Sequence, residues 1–432
     1  MLKRITFFLA LFYMFAGLNN GAMSAVLTHG PVVGGVDSTS ARVFARTDSS
    51  AKVTIKYGTQ PQKLQKTSNE VVTDNQKDYA GIIDITGLSP NTVYYYNILV
   101  DSLPQLKPPY PQFKTFPNNG DKVVFKFAVL TDFGDLQKGP PYVYTFTSAS
   151  KESSDFVIIG GDFDHRDPAV TLTEKREMFK ELYTPIGIMS DFVMNILRKS
   201  AVAHHWDDHD YGMNNGDKTY PYKERSLRVL KEFFPVYPVS DYGDWQRFTY
   251  GHTDFFILDS RSQRDPETDI DDTDKSMLDG DNLGTVGQLH WLKNGLKRSK
   301  ARWKFILTPV PFNPTCKVND SWGAYLFERD ELVNFIEQNN ITGVIFISGD
   351  LHAGGIDDGT NSNFPEMVVP CANCRSCQTA WSNTGEWSVG YYGYPVTDCP
   401  GYSLVTVMTN PDKVLLEVKD EYGNTLISYT VN

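Results

Sequence analysis

The chain has 432 residues, longer than one average domain, and 41% of them are hydrophobic and 22% charged, which is the composition of a folded globular protein and excludes a disordered or membrane-embedded one. Its formal net charge is −11, and removing residues 1–25, which hold Lys3 and Arg4 and no acidic side chain, leaves −13. That repulsion excludes broad electrostatic binding to nucleic acid or an anionic membrane, while a compact anion held by local positive charge stays compatible with it.

Residues 1–25 open on Lys3-Arg4, continue through apolar residues from Ile5 to Leu18 and end on Ala22-Met-Ser-Ala25. A basic start, a short apolar centre and a small-residue end predict a secretory signal peptide, the apolar run being shorter than the ~18 residues that suggest a spanning helix. The expectation is therefore an exported protein, secreted, periplasmic or at the cell surface, with no transmembrane segment in the mature chain. The five cysteines are Cys316, Cys371, Cys374, Cys377 and Cys399. Export favours disulfides among them, with one thiol left over, although the close spacing of Cys371, Cys374 and Cys377 is also that of a zinc or cluster motif.

Residues 26–117 read as a β-sandwich, because short β-rich pieces such as Ala41–Ala45, Lys52–Tyr57 and Val93–Val100 alternate with turns. The segment Gly87-Leu88-Ser-Pro90-Asn-Thr92-Val-Tyr94 resembles the tyrosine corner of fibronectin type III-like domains. Leu103–Pro117 is proline-rich and reads as a linker. Residues 118–432 alternate apolar strand runs at Val123–Leu130, Phe156–Ile159, Phe255–Leu258, Trp303–Leu307 and Val344–Ile347 with helical stretches at Thr173–Leu182 and Gly287–Leu296. The pattern predicts a layered α/β (α+β) domain. Arg264–Asp281 carries eight acidic residues and reads as a solvated loop, calcium binding there requiring convergent oxygens. Gly401–Met408 and Lys413–Val418 read as a closing hairpin.

Four of the apolar runs stop at Asp and His: Phe127-Ala-Val-Leu-Thr-Asp132, Asp155-Phe-Val-Ile-Ile-Gly-Gly-Asp162-Phe-Asp-His165, Ala201-Val-Ala-His-His-Trp-Asp207-Asp208-His209-Asp210 and Val344-Ile-Phe-Ile-Ser-Gly-Asp350-Leu-His352. One strand-end aspartate alone is more often a cap or turn former. Four such ends bring oxygen and nitrogen ligands to one rim of a sheet, the makings of a two-metal site with Asp162 as the bridge. His204 and His205 lie within their strand and read as packing residues. Arg261 and Arg264, after the run Phe256–Leu258, could hold a phosphate bidentately or pair with the acidic loop, and Arg261 is the choice for phosphate.

The blocks Trp206-Asp-Asp-His-Asp-Tyr-Gly212, Phe256-Ile-Leu-Asp-Ser-Arg261-Ser-Gln-Arg264, Leu283-Gly-Thr-Val-Gly-Gln288-Leu-His-Trp291-Leu292 and Ser348-Gly-Asp-Leu-His352 resemble the alkaline phosphatase D (PhoD-like) family of the metallophosphoesterase superfamily. The resemblance implies a layered αββα catalytic domain behind an N-terminal sandwich. It places Asp132, Asp162, His165, Asp208, Asp350 and His352 as metal ligands and His209 as an acid for the leaving oxygen, with Asp210 and Arg261 beside it. Three positions depart from the superfamily pattern: His165 stands for a tyrosine, Asp350 for a histidine, and Pro309-Val-Pro311 stands where another histidine is expected. His165 leaves the first metal open, and Asp350 favours a harder second ion.

The functional expectation is an exported hydrolase of phosphate monoesters or diesters that uses a metal-activated hydroxide at a dinuclear site of Fe, Ca, Mn, Mg or Zn. The alternatives are a phospholipase acting on phospholipid diesters, and a non-catalytic surface protein with a degenerate phosphatase domain.

Overall fold

The computed structural model describes residues 24–133, 144–163, 165, 170–187, 189–317, 319–373, 384–393, 395 and 399–432. Residues 1–23, which hold most of the expected signal peptide, and Cys374 and Cys377 lie outside them. Among the described residues no helix is long and apolar enough to cross a membrane.

Two large sheets face one another. In the first, Phe125–Leu130, Phe156–Ile159 and Ala201–His204 run parallel, with Gly401–Thr409 antiparallel to Phe125–Leu130 on the other side. In the second, Thr253–Ile257, Trp303–Thr308 and Val344–Ser348 run parallel. Alternation along each strand sorts the side chains. Phe127, Val129, Phe156 and Ile158 pack with Phe255, Ile257, Phe305 and Leu307 between the sheets. Ala128, Leu130, Val157 and Ile159 face the helices Leu172–Tyr183 and Lys223–Phe233. Phe256, Ile306 and Phe346 face the helices Gln288–Arg298 and Leu326–Gln338. The layers are therefore helix, sheet, sheet, helix. The central runs carry no polar alternation because both of their faces are covered.

The N-terminal unit is a two-sheet sandwich, and Tyr94 accepts a hydrogen bond from the Ser89 N–H at 2.9 Å, closing the tyrosine corner. It does not stand apart. Strand Leu27–Gly34 pairs parallel with Ala201–His204 at Gly34 and Val202, so one side of the sandwich continues the first catalytic sheet. A Cβ on Gly34 would lie 2.5 Å from the Pro235 carbonyl oxygen and 2.8 Å from that of Val202, so this approach requires glycine. Leu103–Pro117 is not a free linker: Gln112–Lys114 is a strand of the sandwich, and Phe113 and Phe116 are buried. The hairpin at the end is a three-stranded meander, completed by Thr425–Val431.

The acidic segment 264–281 is a largely exposed loop over residues 268–274, as expected, but its far end is not solvated. Met277 and Leu278 are fully buried, and buried Glu328 accepts the Met277 N–H at 2.7 Å and the Leu278 N–H at 3.1 Å. Its apolar pair is too short to show as a periodic signal. Cys316 is a buried free thiol, and Cys371 and Cys399 are half-cystines.

Candidate metal centre

Register sets the site. Leu130 pairs with Ile159 and Ile159 with His204, while Thr308 pairs with Ser348 in the facing sheet. The carboxyl ends of these strands are thus level, and the loops that leave them meet. Asp132, Asp162, Asp350 and His352 have φ of 52°, 52°, 65° and 51°, a left-handed conformation unfavourable for side chains other than glycine. There each strand breaks sharply at the ligand position. The first two loops hold each other, Asp132 N–H donating to the Gly161 carbonyl at 3.2 Å and Phe133 N–H to that of Asp162 at 2.6 Å.

Three sets of metal-capable atoms converge, each set lying within 4.8 Å: Asp132, Asp162, His165 and His352; Asp162, Asp208 and His209; Asp162, Asp207 and Asp350. Asp162 belongs to all three, the position of a bridge. His165 Nδ1 donates to the Phe133 carbonyl at 2.8 Å, which turns its Nε2 toward the centre. That Nε2 lies 2.9 Å from Nε2 of His352 and 3.4 Å from Asp162. Both carboxylate oxygens of Asp132 are buried with no hydrogen-bond partner among the described residues, an arrangement that costs several kcal/mol unless a cation meets it. The donor set, carboxylates with imidazoles, fits iron, manganese or zinc on the histidine side and a harder ion on the aspartate side.

Electrostatics in the metal-free protein agree. Burial pushes the Asp132 carboxyl well above its ordinary value, and Asp162 and Asp350 push it further. Burial would depress His165, but the hydrogen bond to Asp162 and the charges of Asp162 and Asp132 raise it to about 10. Burial, then the charges of His165 and Lys317, hold His352 far below the usual imidazole range.

Asp208 and His209 share a ligand set with Asp162, whereas Asp210 and Arg261 face other partners. His209 sets its ring beside His165, centroids 4.8 Å apart, and its N–H donates to Asp162 at 3.2 Å. Asp208 accepts from the N–H of Asn215 at 2.6 Å. Asp210, expected as a catalytic residue, instead accepts the N–H groups of Asp162 at 2.6 Å, Phe163 at 3.1 Å and Asp207 at 3.1 Å. It ties the two ligand loops together by their backbones. Arg261, expected to clamp phosphate, is fully buried. Its Nε donates to Asp207, and its two terminal nitrogens to Asp320 at 2.8 and 3.3 Å. The correction has a physical reason: the carboxylates around it leave the guanidinium no path to solvent. Arg264 joins the same network, donating to Asp320 and to the Asn215 carbonyl. His204 stacks on Phe234 with ring centroids 3.8 Å apart, a packing residue.

The sequence reading missed Asp207, Lys317 and Asp320. Asp207 is adjacent to Asp208 in the same motif and was within reach. Lys317, whose Nζ donates to the carboxylate and carbonyl of Asp350, and Asp320 sit in a loop without any motif.

Layered sheets with their strand-end ligands at one rim define a metallophosphoesterase-like fold. Residues 141–370 match the family model of the PhoD-like phosphatases, and the chain belongs to that family. Residues 24–118 match a family described only as a domain of unknown function. Alkaline phosphatase D of Bacillus subtilis (strain 168) is 26% identical over 317 residues, covering 63% of this chain and 53% of that protein, so the match spans about half the length of the relative. Among solved structures, that of PhoD superposes with a TM-score of 0.72 at 19% identity, over 93% of this chain and 90% of that one. Purple acid phosphatase PPD1 from yellow lupin (Lupinus luteus) seeds superposes with a TM-score of 0.63 at 14% identity, over 95% and 74%.

Proposed function

We propose that the protein is an exported, metal-dependent hydrolase of phosphoric esters, working at a dinuclear centre built on Asp132, Asp162, His165, Asp208, Asp350 and His352. The observation that carries this reading is the convergence of three candidate ligand sets on Asp162 beside a buried Asp132 carboxylate that has no hydrogen-bond partner among the described residues. Bound metal ions supply Lewis acidity toward phosphoryl oxygens and a nucleophile from water near neutral pH. The chain's own residues do the rest. In this reading His209 gives a proton to the leaving oxygen, Asp162 brings the cation positions together, and Asp210 holds the loop that carries Asp162 through its backbone bonds. The sandwich of residues 26–117 braces the catalytic unit of residues 118–432 through the Gly34 contact. Export rests on the pattern of residues 1–25, and with it a disulfide framework among the late cysteines.

The test is hydrolysis of a chromogenic phosphate monoester and the matching diester, before and after chelation. Turnover abolished by the chelator and restored by metal supports the reading, and the ratio of the two rates separates a phosphatase from a phosphodiesterase or phospholipase. A folded protein that binds metal and turns over neither ester would sink it.

A further inference from the structure

The three ligand sets are not alike in what they already hold. On the histidine side, among the described residues, neither oxygen of Asp132 has a hydrogen-bond partner, its nearest cation-capable neighbour being His352 Nε2 at 3.6 Å, and Nδ1 of both His352 and His209 lacks a protein hydrogen bond. On the aspartate side both unshared carboxylates are already met by side-chain cations. Asp207 accepts from Arg261 Nε, and Asp350 accepts from Lys317 Nζ. These cations cannot swing away to solvent: the side chains of Arg261 and Lys317 are 0% and 2% exposed. Arg261 is pinned by Asp320, and Lys317 by a second bond, 3.0 Å long, to the Asp350 carbonyl.

A carboxylate shared with an ammonium group has less negative potential to offer a metal, and the ammonium repels any cation bound to the other oxygen. Oxygen-ligand sites are tuned in affinity by just this charge count and by their rigidity. Among the described residues no lysine or arginine is in hydrogen-bond contact with Asp132 on the histidine side.

We propose that Lys317 is a resident cation set against Asp350, a positioning residue that makes the aspartate side of the centre the weaker and exchangeable metal position while the histidine side holds its ion tightly. The inference rests on the dinuclear reading above and adds the asymmetry to it. Lys317 does for one half of the site what a metal would otherwise do, and it stands in the loop after Trp303–Thr308, the strand whose expected histidine is absent.

The test titrates the metal-free, full-length protein with Mn2+ by calorimetry. Wild type should show two binding events. In Lys317→Gln, which removes the charge and keeps a hydrogen-bond donor, the weaker event should tighten at least about tenfold and the tighter one stay within about twofold. Lys317→Arg should restore the wild-type pattern. A merely structural role predicts the opposite sign, since disordering Asp350 weakens binding. A weaker event that is unchanged or looser in Lys317→Gln, with the tighter event intact, overturns the inference alone. A wild-type protein with no binding event overturns it together with the functional reading. If Lys317→Gln does not fold, Asp350→Asn decides: it must remove the weaker event and spare the tighter, and loss of the tighter event overturns the assignment.

Discussion

Nε2 of His165 and Nε2 of His352 face each other across 2.9 Å, with Asp162 at 3.4 Å from the first and Asp132 at 3.6 Å from the second. Against the effect of burial, Asp162 and Asp132 raise the pKa of His165 to about 10, so its imidazole favours the protonated form beside these carboxylates. Metal must displace that proton, because a ligating imidazole nitrogen is unprotonated. Metal uptake at pH 8 is therefore expected to release about one proton from this residue, and affinity on the histidine side to rise about tenfold per pH unit below 10. Titration in buffers of different ionisation enthalpy measures the release, which should fall by about one proton in His165→Ala.

Asp162 is the common member of all three ligand sets, whereas His352 belongs to one. Asp162→Asn should lower occupancy at both positions, and His352→Ala mainly at one. Each should reduce kcat by at least about 100-fold, beyond the 10–100-fold typical of residues that only orient ligands. Elemental analysis beside the rate decides: full metal content and full activity in either variant would refute the assignment.

Asp210 separates orienting from ligating. Its carboxylate accepts three backbone N–H groups from the loops that carry Asp162 and Asp207. An amide in its place keeps one acceptor and turns a donor toward another donor. Asp210→Asn is expected to cost about 1–3 kcal/mol in stability and to lower kcat about tenfold through the displaced ligand loop, with KM little changed. Denaturant unfolding and steady-state rates read the two effects. A variant of wild-type stability whose activity is abolished would instead make Asp210 a direct participant.

How much of this is legible in the sequence follows from the physics of each segment. Runs such as Phe156–Ile159 are apolar on both faces because helices cover one side and the second sheet the other, so the layers can be read directly. The candidate ligands Asp132, Asp162 and His352 can be read because a strand ending in Asp or His is a local pattern. Arg261 cannot be placed that way. Its direction depends on Asp320, 59 residues later in the chain, and the local pattern does not distinguish a guanidinium facing substrate from one buried among carboxylates. Lys317 is hidden for the same reason, its partner Asp350 lying 33 residues away. The continuation of the sandwich into the catalytic sheet rests on one pairing, Gly34 with Val202, and a single glycine carries no such signal.

Arg261 itself gives a prediction opposite to that of a substrate clamp. Removing one partner from a buried charge network leaves the others uncompensated, a loss of about 3–5 kcal/mol. Arg261→Met should therefore unfold at markedly lower denaturant concentration, its aspartates having lost their shared cation. A phosphate clamp would leave stability intact and raise KM. Urea unfolding beside KM discriminates, and a stable Arg261→Met with a KM raised tenfold would return Arg261 to the substrate.

His29 offers a pH dependence away from the metal centre. It lies on strand Leu27–Gly34 with Nδ1 2.9 Å from the Thr28 hydroxyl. Burial, then the charges of Arg46 and Lys180, lower it from 6.5 to about 4, against an opposing pull from Asp78. Between these values the unfolded chain binds a proton that the folded one refuses. Stability from this residue is thus complete above pH 6.5 and is lost as pH falls toward 4. Partial exposure reduces the effect to about 1–2 kcal/mol. The comparison that isolates it is the change in urea midpoint from pH 7 to pH 4.5 for wild type and for His29→Gln, which cannot titrate. The variant should lose less stability on acidification than wild type by about that amount, and equal losses would show that His29 keeps an ordinary pKa in the fold.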